Sequence, residues 1–176
     1  MSSGWTVPPG ADECAEYYRG YVARVPAGDI RTTLALNLEQ TLRLLQEIPA
    51  EREGFAYAPG KWTIREVVGH LIDSERVFAY RALRFGRGDS TPLAGFEQNH
   101  YVRHGGSENR TLADLAAELA HLRRANLFLL QSFTTDSLNR SGVASGFPIT
   151  VRALLWVIAG HELHHTDVLR ERYLPG

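Results

Sequence analysis

Residues Gly160 to Thr166 read Gly-His-Glu-Leu-His-His-Thr and hold three of the chain's seven histidines. His161 and His165 stand four apart. On an α-helix that spacing raises both imidazoles from one face, one turn apart, where they can share a metal ion. Imidazole suits zinc, nickel, copper and iron. The same stretch spells H-E-x-x-H, the motif in which zinc proteases use two histidine ligands and a glutamate base. Those enzymes need a further ligand downstream, and the 11 residues after His165 contain no histidine.

A third ligand must then come from upstream, and His70 is the best placed. It stands at the edge of the apolar face formed by Val67, Leu71, Ser74 and Phe78. Gly69 before His70 and Gly160 before His161 remove side-chain bulk beside both positions, which would let helices approach closely. At about 100° per residue, Leu154, Ile158, His161, His165 and Val168 form one stripe, so the histidine pair continues an apolar seam. Buried imidazoles must be hydrogen-bonded or ligated. His164 lies to one side of that seam and is expected to be partly exposed beside the site. His100, His104 and His121 fit a surface. Three neutral histidines leave coordination positions open, as catalytic sites do.

With His164, three further residues are candidates for the substrate pocket. Glu75 falls inside the apolar face of its helix, where a carboxylate needs a partner. An arginine between Arg76 and Arg84 would complete an ion pair; alternatively Glu75 and Arg81, on the His70 side, would orient an anionic substrate. Trp156 belongs to the core or to the pocket wall. The Trp62 environment, Ala-Pro-Gly-Lys-Trp-Thr-Ile, looks like the entry to a helix.

These residues must be carried by long helices. Asp12 to Val25, rich in tyrosine, reads as a short N-terminal helix ended by Pro26–Gly28. Asp29 can cap a helix over about 30–48, with Leu34, Leu38, Leu42 and Leu45 at helical spacing. Thr63-Ile-Arg-Glu66 is a capping box opening a helix to about Phe85. Helices from Thr111 to about Phe133 and from Thr150 to about Arg172 follow. Gly86–Gly106 and Asp136–Phe147 read as loops, and no segment alternates as a strand. Loops as long as the first are often functional. An all-α four-helix bundle follows, as one domain over residues 11–176 with a loose tail over 1–10.

Composition narrows the partners. The chain of 176 residues is 44% apolar and 22% charged with net charge −1, so neither nucleic acid nor an anionic membrane is indicated. Its longest apolar stretch, Ala153 to Ala159, is far short of the roughly 20 residues that cross a bilayer. Cys14 is the one cysteine, which excludes an intrachain disulfide and suits a reducing cytoplasm. The first residues lack a basic and an apolar run, so no signal peptide is expected and the localisation is expected to be cytoplasmic. Of the 19 basic residues, Lys61 is the one lysine and the rest are arginine.

The run Tyr57-Ala-Pro-Gly-Lys-Trp-Thr-Ile-Arg-Glu-Val-Val-Gly-His-Leu-Ile-Asp-Ser-Glu-Arg, with Phe78-Ala-Tyr-Arg-Ala-Leu-Arg-Phe and the closing Gly-His-Glu-Leu-His-His-Thr-Asp-Val-Leu-Arg-Glu-Arg-Tyr, resembles the DinB-like (DinB/YfiT-like) superfamily over nearly the whole chain. The resemblance implies up-down-down-up connectivity, a homodimer, and a triad of one histidine on the second bundle helix and an H-x-x-x-H pair on the last. Matched here, these are His70, His161 and His165. It also implies a fold shared with bacillithiol- and mycothiol-dependent enzymes. The expectation is one divalent ion, zinc or nickel first, iron or manganese next. That ion would activate a low-molecular-weight thiol (transferase) or a water (hydrolase) against a small-molecule substrate. The alternatives are a non-catalytic metal-binding bundle in stress response and a bundle whose histidines are satisfied without metal.

Overall fold

The structure, a computed structural model, describes residues 4–174. Its α-helices are α1 (Glu16–Val22), α2 (Ile30–Gln46), α3 (Ile64–Gly86), α4 (Gln98–His104), α5 (Leu112–Gln131), α6 (Thr135–Asn139) and α7 (Val151–Val168), the last continued by a π-turn over Leu169–Tyr173. The four long ones begin where the sequence places caps. Asp29 accepts from Arg31 N, and Thr111 and Thr150 accept from the residues three further on. At Thr63 the capping box closes both ways, with Glu66 accepting from Thr63 N at 2.7 Å.

Each of α2 and α3 packs against both α5 and α7. Side-chain register gives the directions. Arg65 donates to Arg110 O and Arg87 to Ser132, so α3 and α5 run parallel. Asn37 donates to Ala159 O and Thr41 to Glu162, so α2 and α7 run parallel, opposite to the other pair. This is the up-down-down-up bundle. Parallel α3 and α5 force the chain to return along the bundle between them, about 30 Å for a helix of this length. That return is the long segment after Gly86. It is not simply a loop, because it carries α4 and a short 3₁₀ turn over Ser107–Asn109.

The stretch 136–147 departs further from expectation. It carries α6 and most of an antiparallel hairpin, β1 (Ser141–Ala144) with β2 (Phe147–Thr150). Ser145 and Gly146 both take left-handed backbone, φ 55° and 84°, as the tight turn between twisted strands requires. The Ser-Gly pair was the local signal; four-residue strands and Pro148 on the second one hid it. Leu93 joins the hairpin through Leu93 N to Val143 O at 2.9 Å. Nor is the amino-terminal segment a loose tail from residue 4 on: Trp5 is buried in the core beneath the Arg31 guanidinium, and its carbonyl accepts from Ile30 N. Residues 1–3 lie outside the described residues.

At the bundle axis Arg123 of α5 meets the other three long helices. It forms a bidentate pair with Glu75 of α3, both contacts 2.8 Å, and donates to Leu34 O of α2 at 2.7 Å. Its Nη1 lies 2.8 Å from Glu162 Oε2 of α7, in ion-pair contact without an aligned hydrogen bond, while Thr41 Oγ1 donates to Glu162 Oε1 at 2.7 Å. Asn126 adds a bond to Glu75 at 3.0 Å. Glu75 therefore does find an arginine, but from α5 and not from Arg76–Arg84, because Arg76 and Arg84 reach outward to Glu118 and Asp89 and Arg81 binds the return segment. Arg123→Met strands two carboxylates in the interior. It is expected to lower unfolding stability in urea by about 3–5 kcal/mol, partly recovered by adding Glu75→Gln and Glu162→Gln. An unchanged midpoint would contradict the role given to Arg123.

Candidate metal centre

The axial network fixes the rotation of α3 and α7, and the histidines follow from it. Glu162 turns inward to Arg123, which leaves His161 and His165 on the neighbouring face, towards α3. There they meet His70. The ligand nitrogens of His70, His161 and His165 lie within 4.8 Å of one another, and His70 Nε2 is 3.0 Å from His161 Nε2. Two nitrogens bound to one ion at about 2.1 Å and 90–110° stand about 3.0–3.4 Å apart, so His70 and His161 already hold the separation that a shared ion needs, with His165 close enough to join them. The donor set is three imidazoles with no thiolate or carboxylate, which suits zinc or nickel better than magnesium or calcium.

The surroundings hold the rings in place and keep them neutral. Ser74 Oγ, one turn along α3, is 3.4 Å from His70 Nδ1. Trp62 packs on His70 with ring centroids 4.7 Å apart and stacks over His165. Tyr21 of α1 meets His161 edge-on at 5.3 Å, as does Phe78 at 5.9 Å. Burial, with the neighbouring histidine charges second, depresses His70 to about 4 and His165 to about 3, and carries His161 well below its usual value. Metal ligation needs that neutral form. His164 stands aside, half-buried with its ring 5.0 Å from His165, and burial also lowers its pKa.

The two glycines do serve close approaches, but not between α3 and α7. A Cβ on Gly160 would collide with the Tyr21 carbonyl, so Gly160 seats the backbone of α1 over the site. A Cβ on Gly69 would strike Ser107 of the return segment.

A cavity of about 530 Å³ opens on His70 and His161. Its walls are Tyr17, Tyr18 and Tyr21 of α1, Ser74 and Phe78 of α3, Phe96 to Gln98 of the return segment, and Ser145 and Phe147 of the hairpin. No local pattern singles out Phe96 or Phe147 as wall residues, whereas the tyrosine-rich character of α1 and the i, i+4 spacing of Ser74 from His70 are visible in the sequence; Trp62, legible only as a helix entry, proves to pack on the histidines. Glu75, Arg81 and Trp156 are not on this wall. Glu75 is spent on Arg123, and Trp156 is buried in the core, 3% exposed. Arg81 stands behind the wall, donating to Ala94 O at 3.1 Å and Ser145 Oγ at 2.9 Å, and so fixes the hairpin turn against the return segment. Glu162 is equally removed from protease-like duty: burial lifts its carboxyl above the usual range, and Arg123 and Thr41 pull it back only in part.

The sequence model of the DinB superfamily matches residues 33–169. No sequence among curated proteins matches the chain. Among solved structures, YfiT from Bacillus subtilis, described as a probable metal-dependent hydrolase with an unusual four-helix bundle topology, aligns with a TM-score of 0.69 at 19% identity, over 93% of this chain and 92% of that one. The mycothiol-dependent maleylpyruvate isomerase aligns with a TM-score of 0.65 at 14% identity; 95% of this chain matches, spanning 63% of that one. A DinB-like protein, YjoA, from Bacillus subtilis aligns with a TM-score of 0.58 at 22% identity, over 80% and 86%. At these identities the likeness is one of fold.

The depressed imidazoles make metal-free stability depend on pH. At pH 7 folded and unfolded chains both hold these histidines neutral. Below about 6.5 the unfolded chain takes up protons that the folded one refuses, so stability falls with pH, by up to about 1.4 kcal/mol per unit for each histidine. The loss should run from about pH 6.5 to about 4, where His70 protonates in the fold. Urea unfolding of metal-stripped protein at pH 7, 6 and 5 checks this; a flat profile contradicts it.

Proposed function

This chain belongs to the DinB superfamily, and from that premise we propose that it is a metal-dependent enzyme. In this reading His70, His161 and His165 hold one divalent ion, zinc or nickel first, iron or manganese next. The observation that carries it is the cavity. Three protein ligands leave coordination positions free, and a space of about 530 Å³ opens on two of those ligands. A storage or structural site would need no such space. When bound, the ion supplies Lewis acidity that favours the deprotonated form of a water or a thiol.

The chain's own residues do the remainder. Trp62, Tyr21 and Phe78 clamp the imidazole rings and exclude bulk water from them. The aromatic walls bury the apolar part of a small organic substrate and hold it over the triad. Arg81 keeps Ser145 and the return segment in register as the outer wall. The nucleophile is a water or a low-molecular-weight thiol, and the reaction is accordingly a hydrolysis or a thiol transfer. YfiT's description and the isomerase's dependence on mycothiol support one each. A homodimer working in the cytoplasm completes the proposal.

Elemental analysis beside turnover tests it. Purified protein should carry about one divalent ion per chain, lost in His70→Ala, His161→Ala and His165→Ala. Panels of esters and amides, and of electrophiles with and without added thiols, should reveal an activity that falls more than about 100-fold on chelation or in these variants and returns when metal is restored to the wild type. Wild-type protein that refuses metal on reconstitution, or activity indifferent to it, would overturn the reading.

A further inference from the structure

One member of the triad, His165, faces a second hollow. About 310 Å³ in volume, it opens on His164 and His165 and is bounded by Trp62, Lys61, Asn99 and Tyr57. The two spaces are neighbours separated by the first turn of α4: Glu97 and Gln98 line the aromatic cavity, and Asn99 lines the hollow. Their charges are opposite. The aromatic cavity has two carboxylates on its wall, Glu16 and Glu97, and no lysine or arginine. The hollow has the chain's one lysine and no acidic residue. Among the described residues the Lys61 ammonium makes no ion pair or hydrogen bond, whereas most of the arginines on this molecule are engaged with acids or carbonyls.

We propose that the metal site is reached from two sides, and that the Lys61 hollow takes the carboxylate end of a second small molecule while the aromatic cavity takes a neutral or cationic organic one. This rests on the metal-site reading above. An exposed ammonium is flexible and strongly hydrated, and its attraction for an anion is modest but selective by sign. Asn99 offers an amide donor beside it. With no arginine in the hollow to fork onto a phosphate, a monoanionic carboxylate is the better match. A molecule so held would present its other end to the triad from the His165 side, leaving the aromatic cavity free for the partner that reacts with it.

Cobalt-substituted protein provides the test, with metal content measured first. Thiols differing in their tail are titrated against the near-ultraviolet thiolate-to-cobalt band: 3-mercaptopropionate, neutral 2-mercaptoethanol and cationic cysteamine. At low salt the anionic thiol is expected to bind several-fold tighter than the neutral one and about tenfold tighter than the cationic one. Lys61→Gln should shrink that preference at least threefold, and Lys61→Arg should keep it. Glu16→Gln, on the aromatic side, should leave the ratio of anionic to neutral thiol unchanged. An equal preference in Lys61→Gln and wild type would overturn the assignment, as would a ratio set by Glu16. Protein that takes up no cobalt would sink the metal-site reading itself, and the metal analysis separates that outcome from the others.

Discussion

Arg123 stands where all four long helices meet, and much of the molecule is arranged around keeping its charge accounted for. A guanidinium away from water needs partners on every donor, and each helix supplies one: Glu75, Glu162 and the Leu34 carbonyl from three helices, with Asn126 supporting Glu75 from its own. Apolar packing alone tolerates helices that rotate or slide by part of a turn. A bidentate ion pair in a low-dielectric interior does not, since misplacing either partner exposes the full cost of a buried charge. Glu162 lies between His161 and His165 in sequence and Glu75 one residue beyond Ser74. Satisfying Arg123 therefore turns His161, His165 and His70 towards one point.

The connectivity does the next part of the work. With α3 and α5 parallel, the chain has to travel the length of the bundle between them, and its path runs past the histidines. The residues met on the way, Phe96 to Asn99, become a wall of one space and part of the boundary of the next. The hairpin and Arg81 pin that path from outside. On the other side α1, too short to be stable alone, is held by the gap at Gly160, by Arg24 with Asp167 at 3.1 Å, and by Glu13 with Arg152 at 2.9 Å just before it. The site thus has a rigid floor of long helices and walls made of segments with little core of their own. Those are the parts of a protein that vary and move most easily.

Burial and chemistry meet in the imidazoles. Excluding water from the triad would be costly for charged rings, so the rings stay neutral, and neutral rings are what a metal requires. The same exclusion would serve the proposed chemistry, because a polar step in a site of low dielectric responds more strongly to a nearby ion than it would in water.

The sequence by itself determined the four long helices, their starting caps and the identity of the three histidines, while the short helices α4 and α6 lay in stretches that read as loops. These are local matters: a capping box needs four consecutive residues, an amphipathic stripe needs one helix, and a pair four apart needs one turn. His70 was legible because its helix face could be read and because its motif resembles a family's. The tertiary structure decided what distance in the chain conceals. Glu75 needed a partner, but that it is Arg123, 48 residues on, follows from which helices adjoin. Gly160 promised a close approach, yet only the packed chain shows that α1 makes it. The hairpin leaves no clear pattern because its strands span four residues each, and Phe96 to Asn99 leave none because their role lies in where the return segment passes, which is set by helix direction and not by any pattern along the chain.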